Sequence, residues 1–422
     1  MRTTKNSGFE WIGEIPTSWE LYKGKYMFTQ RNLRGNTIEL QLLSPTQKYG
    51  VVPQSVYEDR SGMNAVKLNK NANLSALKTI HKGDFCISLR SFQGGFEYSE
   101  YEGVVSPAYQ VFYPVVKVAR GYYKYLFKDS GFIEKMNSYT MTLRDGKNIA
   151  FADFGNTYIP CPPVDEQQRI ADFLDTKCAE IDALTADIQT QIDTLEQYKR
   201  SVITETVAKG LNPDAEMKDS GIQWIGNMPA HWDVIRGKYI LRYMQKPVRE
   251  DDGVITCFRD GEVTLRSNRR EDGFTMSDKE IGYQGIDVGD LVVHGMDGFA
   301  GSIGISDSRG KASPVLNVLD TDQCKRYIMY YLRSMAYSDV FLALATGIRV
   351  RSCDLRWNKL AELSYPVPPL DEQNAIVKHI DSVLSKADAV IADKKAQLAT
   401  LDEYKKSLIF EYVTGKKEVP VS

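Results

Sequence analysis

From Gln167 to Lys209 the chain runs without proline or glycine, and its apolar residues recur every three or four positions. They are Leu174, Cys178, Ile181, Leu184, Ile188, Ile192, Leu195, Tyr198 and Val202. That rhythm predicts one long helix with a single apolar stripe. A second stretch repeats it with Ile380, Leu384, Val390, Leu398, Leu401, Tyr404 and Leu408, broken by Lys394 where the first has Ile188. Pro162 and Pro163 impose an extended approach to the first helix, and Asp165 with Gln168 three residues on has the form of a capping box. Asp371 and Asn374 hold the same places before the second helix. Gly210 and Gly415 supply the stops. About 43 residues at roughly 1.5 Å each make a rod of about 65 Å, longer than a small module needs. The simplest partner for each rod is the other, in an antiparallel coiled coil.

The stretches before each helix have a different texture. "GDFCISL", "VVSPAYQVFYP", "VITCFRDGEVTL" and "GDLVVHG" are rich in β-branched and aromatic residues and bounded by turn formers, so they predict short strands. "GYYKYLFKDSGFIEKMNS" and "CKRYIMYYLRSMAYSDVFLALA" have helical spacing. The fold class is therefore mixed α/β (α+β), in the order globule, helix, globule, helix.

That order is a repeat. "SGFEWIGEIPTSWELYKGKY" at 7–26 returns as "SGIQWIGNMPAHWDVIRGKY" at 220–239 and holds four of the five tryptophans, Trp11, Trp19, Trp224 and Trp232. "CPPVDEQQRIADFL" at 161–174 returns as "VPPLDEQNAIVKHI" 206 positions later, and "LEQYKRSVI" at 195–203 returns as "LDEYKKSLI" at the same offset. An internal pseudo-twofold organisation follows, with domains at 1–163, 164–210, 211–369 and 370–416 and a tail at 417–422. The tryptophans are expected to pack the start of each globule against a helix end.

Composition narrows the function. No apolar run approaches the roughly 20 residues of a bilayer span, and "MRTTKNSGFE" has no signal-peptide core, which places the chain in the cytoplasm with no membrane partner. The six cysteines and four histidines are scattered without metal-ligand spacing, so they are expected as structural residues, with no metal site. There is no phosphate loop, and "GFAGSIG" at 298–304 lacks dinucleotide-fingerprint spacing. Asn212-Pro213 is followed by Asp214 and Ala215, which is not an amino-methyltransferase motif. A chain without nucleophile, metal or phosphate motifs is expected to bind rather than catalyse.

The net charge of -2 conceals an uneven distribution: residues 1–163 carry 20 Lys and Arg against 14 Asp and Glu, while 164–210 carry 5 against 10. In the second globule, "FRDGEVTLRSNRRED" holds Arg259, Arg266, Arg269 and Arg270 beside Asn268, and "ATGIRVRSCDLRWNK" holds Arg349, Arg351 and Arg356. The first globule offers Arg90 and Gln93 in "SLRSFQGGFEYSE", and Arg144, Lys147 and Asn148 in "YTMTLRDGKNIAF". Guanidinium groups bind phosphates for position or guanine edges for sequence, and Asn or Gln amides bind adenine edges. These residues are the candidate DNA contacts. The competing reading is that the arginines pair with nearby acids such as Asp260, Glu271 and Asp145.

The doubled order of "W-I-G-x-x-P-x-x-W", a variable globule, "P-P-[VL]-D-E-Q" and a long helix resembles the specificity subunits of type I restriction-modification systems, from Gly8 to about Lys416. The resemblance implies that each globule is a target recognition domain reading half of a split double-stranded DNA site, with the paired helices as spacer. It implies a non-catalytic subunit in phage defence that directs a DNA adenine methyltransferase and an ATP-dependent translocating restriction subunit. S-adenosylmethionine, ATP and magnesium would belong to those partners, with no cofactor in this chain. The other reading left by the residues is a coiled-coil adaptor whose globules recognise protein.

Overall fold

The two proline-free stretches fold as helices of 46 residues, Val164–Lys209, and 44 residues, Leu370–Val413. The computed structural model describes residues 2–35, 40–65, 74–88, 95–139, 149–269, 281–344 and 355–420. By contact the chain divides into two compact units, Met1–Ile188 with Ala396–Ser422, and Gln189–Lys395.

In the first unit a four-stranded antiparallel sheet has the spatial order Phe28–Gln30, Gln110–Pro114, Phe85–Ile87, Phe96–Tyr98. Alternation puts Phe28, Phe85 and Phe112 on its inner face, where all three rings are buried. They meet Tyr123, Phe127 and Phe154 from the flanking helices at ring separations of 5.1 to 6.0 Å. The second unit repeats the order with Arg242–Met244, Leu316–Asp320, Leu291–His294 and Ile303–Ile305. Its inner face is aliphatic, with Leu291, Val293, Ile303 and Leu319 buried. One topology thus accepts two core chemistries, provided that apolar volume and register are kept.

The repeated phrases are joints between globule and helix. Trp19 and Trp232 are fully buried, and Trp11 and Trp224 pack at the edges of the same cores. Gly415, at φ +73°, lies under Trp19: a Cβ there would stand 2.9 Å from the indole and 2.5 Å from Pro16. Gly210, at φ +74°, repeats this against Trp232 at 3.1 Å. These glycines end the helices as expected, and the close approach of an indole adds a second reason for having no side chain.

The helix starts differ from expectation. Each helix begins one residue before its aspartate, which leaves Asp165 and Asp371 inside the first turn. Gln168 turns outward to Asp172, four residues on. The neighbouring Gln167 is the buried one. Its Oε1 accepts from the Ala119 N–H at 2.9 Å and its Nε2 donates to the Pro162 carbonyl at 2.8 Å. Gln373 does the same with the Cys324 N–H at 2.9 Å and the Pro368 carbonyl at 2.8 Å. The repeated "DEQ" is therefore a bracket holding the long helix to the globule in front of it.

Tyrosines complete the docking. Tyr122 donates to the Val413 carbonyl at 2.6 Å, and Tyr327 donates to that of Val207 at 3.1 Å. Tyr125 donates to Asp175, and Tyr330 to Asp381, both at 2.6 Å. The first two hydroxyls satisfy carbonyls of the helix ends, and the last two join carboxylates that also pair with Lys124 and Arg326.

Within each unit the two helix segments run antiparallel. In the first, Phe173 meets the Tyr412 ring at 4.5 Å and Asp182 accepts from Lys405 at 2.6 Å. In the second, Lys394 donates to Gln191, and Lys199 donates to Asp388 at 2.6 Å. Ile181, Ile188 and Leu408 are buried, and Leu195, Val202, Leu398 and Leu401 are half-buried. Four residues expected on the packing stripe lie outside it: Leu184, Tyr198, Val390 and Tyr404 are exposed. The stripe instead takes Thr185, Lys199, Ile391 and Lys405, each partly or fully covered.

The reason is rotational. A step of three residues falls about 60° short of a full turn and a step of four overshoots by about 40°, so only alternating steps stay on one face. Following the most apolar residues took two threes in succession, 178, 181, 184, and left the face.

Candidate nucleic-acid interface

The strands Ile255–Cys257 and Val263–Leu265 form an antiparallel hairpin, and its turn carries Arg259. The turn is drawn against the sheet because Gly304 has no side chain; a Cβ there would stand 1.9 Å from the Gly261 carbonyl. Arg333 clamps it from the helix Lys325–Tyr337 by donating to the Asp260 carbonyl at 2.7 Å. Arg259 remains 69% exposed at its side chain and pairs with Asp297 at 3.1 Å. A surface pair of this kind is weak, so the guanidinium can exchange its partner for a phosphate or base edge.

The second arginine-rich stretch arrives at the same place. The Leu355 N–H donates to the Gly295 carbonyl at 2.8 Å, and buried Asn317 donates to the Leu355 carbonyl at 3.0 Å and the Val293 carbonyl at 3.1 Å. Arg356 follows directly, at the start of the helix Trp357–Glu362. Two segments about 90 residues apart thus converge on the turn after the strand Leu291–His294. In that turn His294 Nδ1 accepts from the Asp297 N–H at 2.9 Å. Burial first, and then the Arg259 charge, lower the His294 pKa, partly offset by Asp297. The turn residues 294–297, including exposed Met296, were not among the expected site residues, since nothing in "HGMD" marks them.

The other candidates divide. Arg269 pairs with Asp260 at 2.8 Å and Glu262 at 3.0 Å and lies over the Phe258 ring at 4.1 Å, so its principal work is to close the hairpin. Arg266 donates to Thr256 at 3.2 Å and Asn268 to Thr264 at 2.9 Å, across and along the same hairpin. Arg90, Gln93, Arg144, Lys147, Asn148, Arg270, Arg349 and Arg351 lie outside the described residues. In the first unit, Gln110 anchors the chain that leaves the 140–148 stretch: its amide donates to the Ile149 carbonyl and accepts from the Phe151 N–H, both at 2.8 Å.

Among the described residues no group of three or more His, Cys, Asp or Glu is placed to hold a metal ion. No helix among them is long and apolar enough to cross a membrane. Among the described residues, a doubled sheet scaffold joined to long helices presents Arg259 and exposed Arg356 at the end of the second unit's sheet.

Comparison with known proteins agrees with that scaffold. Residues 17–194 match the family model described as the type I restriction modification DNA specificity domain. The chain is 25% identical over 275 residues to the putative type I restriction enzyme MjaX specificity subunit of Methanocaldococcus jannaschii, covering 62% of this chain and 59% of that protein. It is 24% identical over 302 residues to the MjaVIII specificity subunit of the same organism, covering 67% of this chain and 68% of that one. The first of these relatives is therefore spanned over less than two thirds of its length.

Among solved structures, the HsdS subunit from Thermoanaerobacter tengcongensis aligns with a TM-score of 0.51 at 14% identity, covering 98% of this chain and 100% of that one. A chain from a structure describing complex assembly and conformational transition of a type I restriction-modification system aligns with a TM-score of 0.68 at 15% identity, covering 96% and 99%. At such identities these two establish the fold. Taken with the family-model match over residues 17–194 and the curated relatives, they make the chain similar to the specificity subunits of type I restriction-modification systems.

Proposed function

We propose that this chain reads a bipartite, asymmetric DNA target, one half per globule, and carries modification and restriction subunits to it through its helices. The observation that supports this most is strand-for-strand duplication of the scaffold combined with divergence of the loops. The two sheets share one order, and the hairpin Ile255–Cys257/Val263–Leu265 has its counterpart in Leu43–Thr46/Gly50–Pro53, but the first hairpin's turn carries Gln47, Lys48 and Tyr49 where the second carries Arg259. A common frame with different reading loops suits a target whose two specified segments differ. In this reading the chain itself performs no catalysis. S-adenosylmethionine, ATP and magnesium act on the partner subunits, a DNA adenine methyltransferase and an ATP-dependent translocase.

In this reading the two half-sites are expected with centres about one helical turn apart and unread bases between. The test is methylation mapping in cells that co-express the chain with its modification subunit. A split motif supports the reading, and replacing residues 220–366 with another specificity subunit's module changes one half of it only. A single continuous motif refutes it. Binding by the assembled complex should weaken steeply with added salt, whereas salt-insensitive binding would favour protein-recognising globules.

A further inference from the structure

The turn after the strand Leu291–His294 is pinned along its backbone yet presents an apolar side chain to solvent. Met296 is 57% exposed, while its N–H donates to His294 Nδ1 at 3.2 Å, beside the bond from Asp297. The Gly295 N–H donates to the Val315 carbonyl at 2.8 Å, and the Gly295 carbonyl accepts from Leu355. On the far side the Asp297 carbonyl accepts from the Ala300 N–H at 2.9 Å. The frame is also close-fitting: a Cβ at Gly295 would stand 3.0 Å from the Val315 carbonyl, and one at Gly298 2.6 Å from the Leu355 side chain. These bonds fix where the Met296 side chain starts, so it is presented from a rigid support.

A single exposed methionine is ordinary on a surface, as Met63 is in the first unit. Met296 differs in its flanks. Asp297, on one side, holds the Arg259 guanidinium at 3.1 Å. Gly295, on the other, faces Arg356: its Cβ position lies 3.8 Å from the Arg356 Cγ, and the Arg356 side chain is exposed. Two cations that attract a phosphate backbone thus bracket an apolar tip. The Asp297 carboxylate repels phosphate at the tip itself, which favours base edges there over backbone. In the major groove those edges offer one apolar group, the 5-methyl of thymine, and in the minor groove none.

We infer that Met296 is a specificity-determining residue of the second globule, and that it packs on the 5-methyl group of a thymine in the half-site this globule reads. This rests on the DNA reading proposed above and names one of its contacts. The thioether is unbranched and polarisable, so it conforms to a methyl group without a directed bond. Arg259 and Arg356 set the approach, and Met296 supplies the discrimination. The corresponding connection of the first unit, at 89–94, lies outside the described residues, so the assignment concerns one half-site.

The test is a binding titration of the full chain assembled with its modification subunit, on duplexes carrying the target found by methylation mapping. Each thymine of the half-site assigned to the second globule by exchange of residues 220–366, on either strand, is replaced singly by deoxyuridine. That removes the methyl group and leaves base pairing intact. Wild type is expected to lose about fourfold in affinity at one of these positions, the effect of one buried methyl group. Met296→Ala should bind the thymine duplex about fourfold or more weakly than wild type does, and no longer tell thymine from uracil there. Met296→Leu should keep the preference, and Arg259→Ala should weaken both duplexes by the same factor. In cells, Met296→Ala should relax one position in the second globule's half of the methylated motif and leave the other half unchanged. Wild type indifferent to deoxyuridine at every thymine overturns the inference, as does a Met296→Ala variant that keeps the discrimination. Both results leave the split-target reading standing. A continuous motif, or an assembled complex that does not bind DNA, overturns that reading and the inference with it.

Discussion

Replacing Gln167 with leucine tests the joint between globule and helix. The side chain is fully buried, accepts from the Ala119 N–H at 2.9 Å and donates to the Pro162 carbonyl at 2.8 Å. Leucine fills similar volume but offers neither group, so both backbone partners stay buried and unpaired. Each such group costs about 1–3 kcal/mol, which puts the substitution at about 4 kcal/mol. For a unit of this size, about 2–4 °C per kcal/mol converts that to a fall of about 8–16 °C in melting midpoint. The control is Gln168→Leu, whose exposed amide bonds Asp172 and should cost about 0.5 kcal/mol or less. Thermal melts and guanidinium titrations of both variants decide the matter. Equal costs, or less than about 1 kcal/mol for Gln167→Leu, would refute the bracket.

Further outcomes follow from the charged groups. Lys246 first, then Arg309, pull the Asp287 carboxyl down to about 2, and Arg309 holds Asp252 below its ordinary range. Lowered carboxylates contribute stability that is present above the ordinary carboxylate pKa and lost as pH falls through the lowered one. Arg309→Gln should therefore move acid unfolding to higher pH, and an unchanged midpoint by circular dichroism would contradict the assignment. Lys199 occupies the helix stripe with its side chain 19% exposed, so Lys199→Leu should raise stability by about 1 kcal/mol; a loss in a urea titration would show the ion pair to be net stabilising. Arg259→Ala should lower the DNA affinity of the assembled complex and flatten its salt dependence by about one unit of slope, with little change in melting. Arg269→Ala should do the reverse, since its guanidinium is spent on Asp260, Glu262 and Phe258.

Local pattern alone determined much of this protein. The absence of proline and glycine from 167 to 209, the three-four recurrence of apolar residues, Gly210 and Gly415, and the repeated tryptophan phrases sufficed for two long helices and a duplicated frame. These features act through neighbours in sequence, by backbone geometry and periodicity, so they are legible there. Tertiary structure decided what depends on distant partners. Gln167 gained its role from Ala119, 48 residues away, and not from the helix it opens. Leu184 and Tyr404 lost the stripe to Thr185 and Lys405 because the stripe is fixed by how two rods mesh, and apolarity alone does not set that phase. Arg259 and Arg269 look alike in sequence, yet one reaches outward and the other is held by two carboxylates and a ring. Charge becomes function only where folding leaves it free to meet a partner.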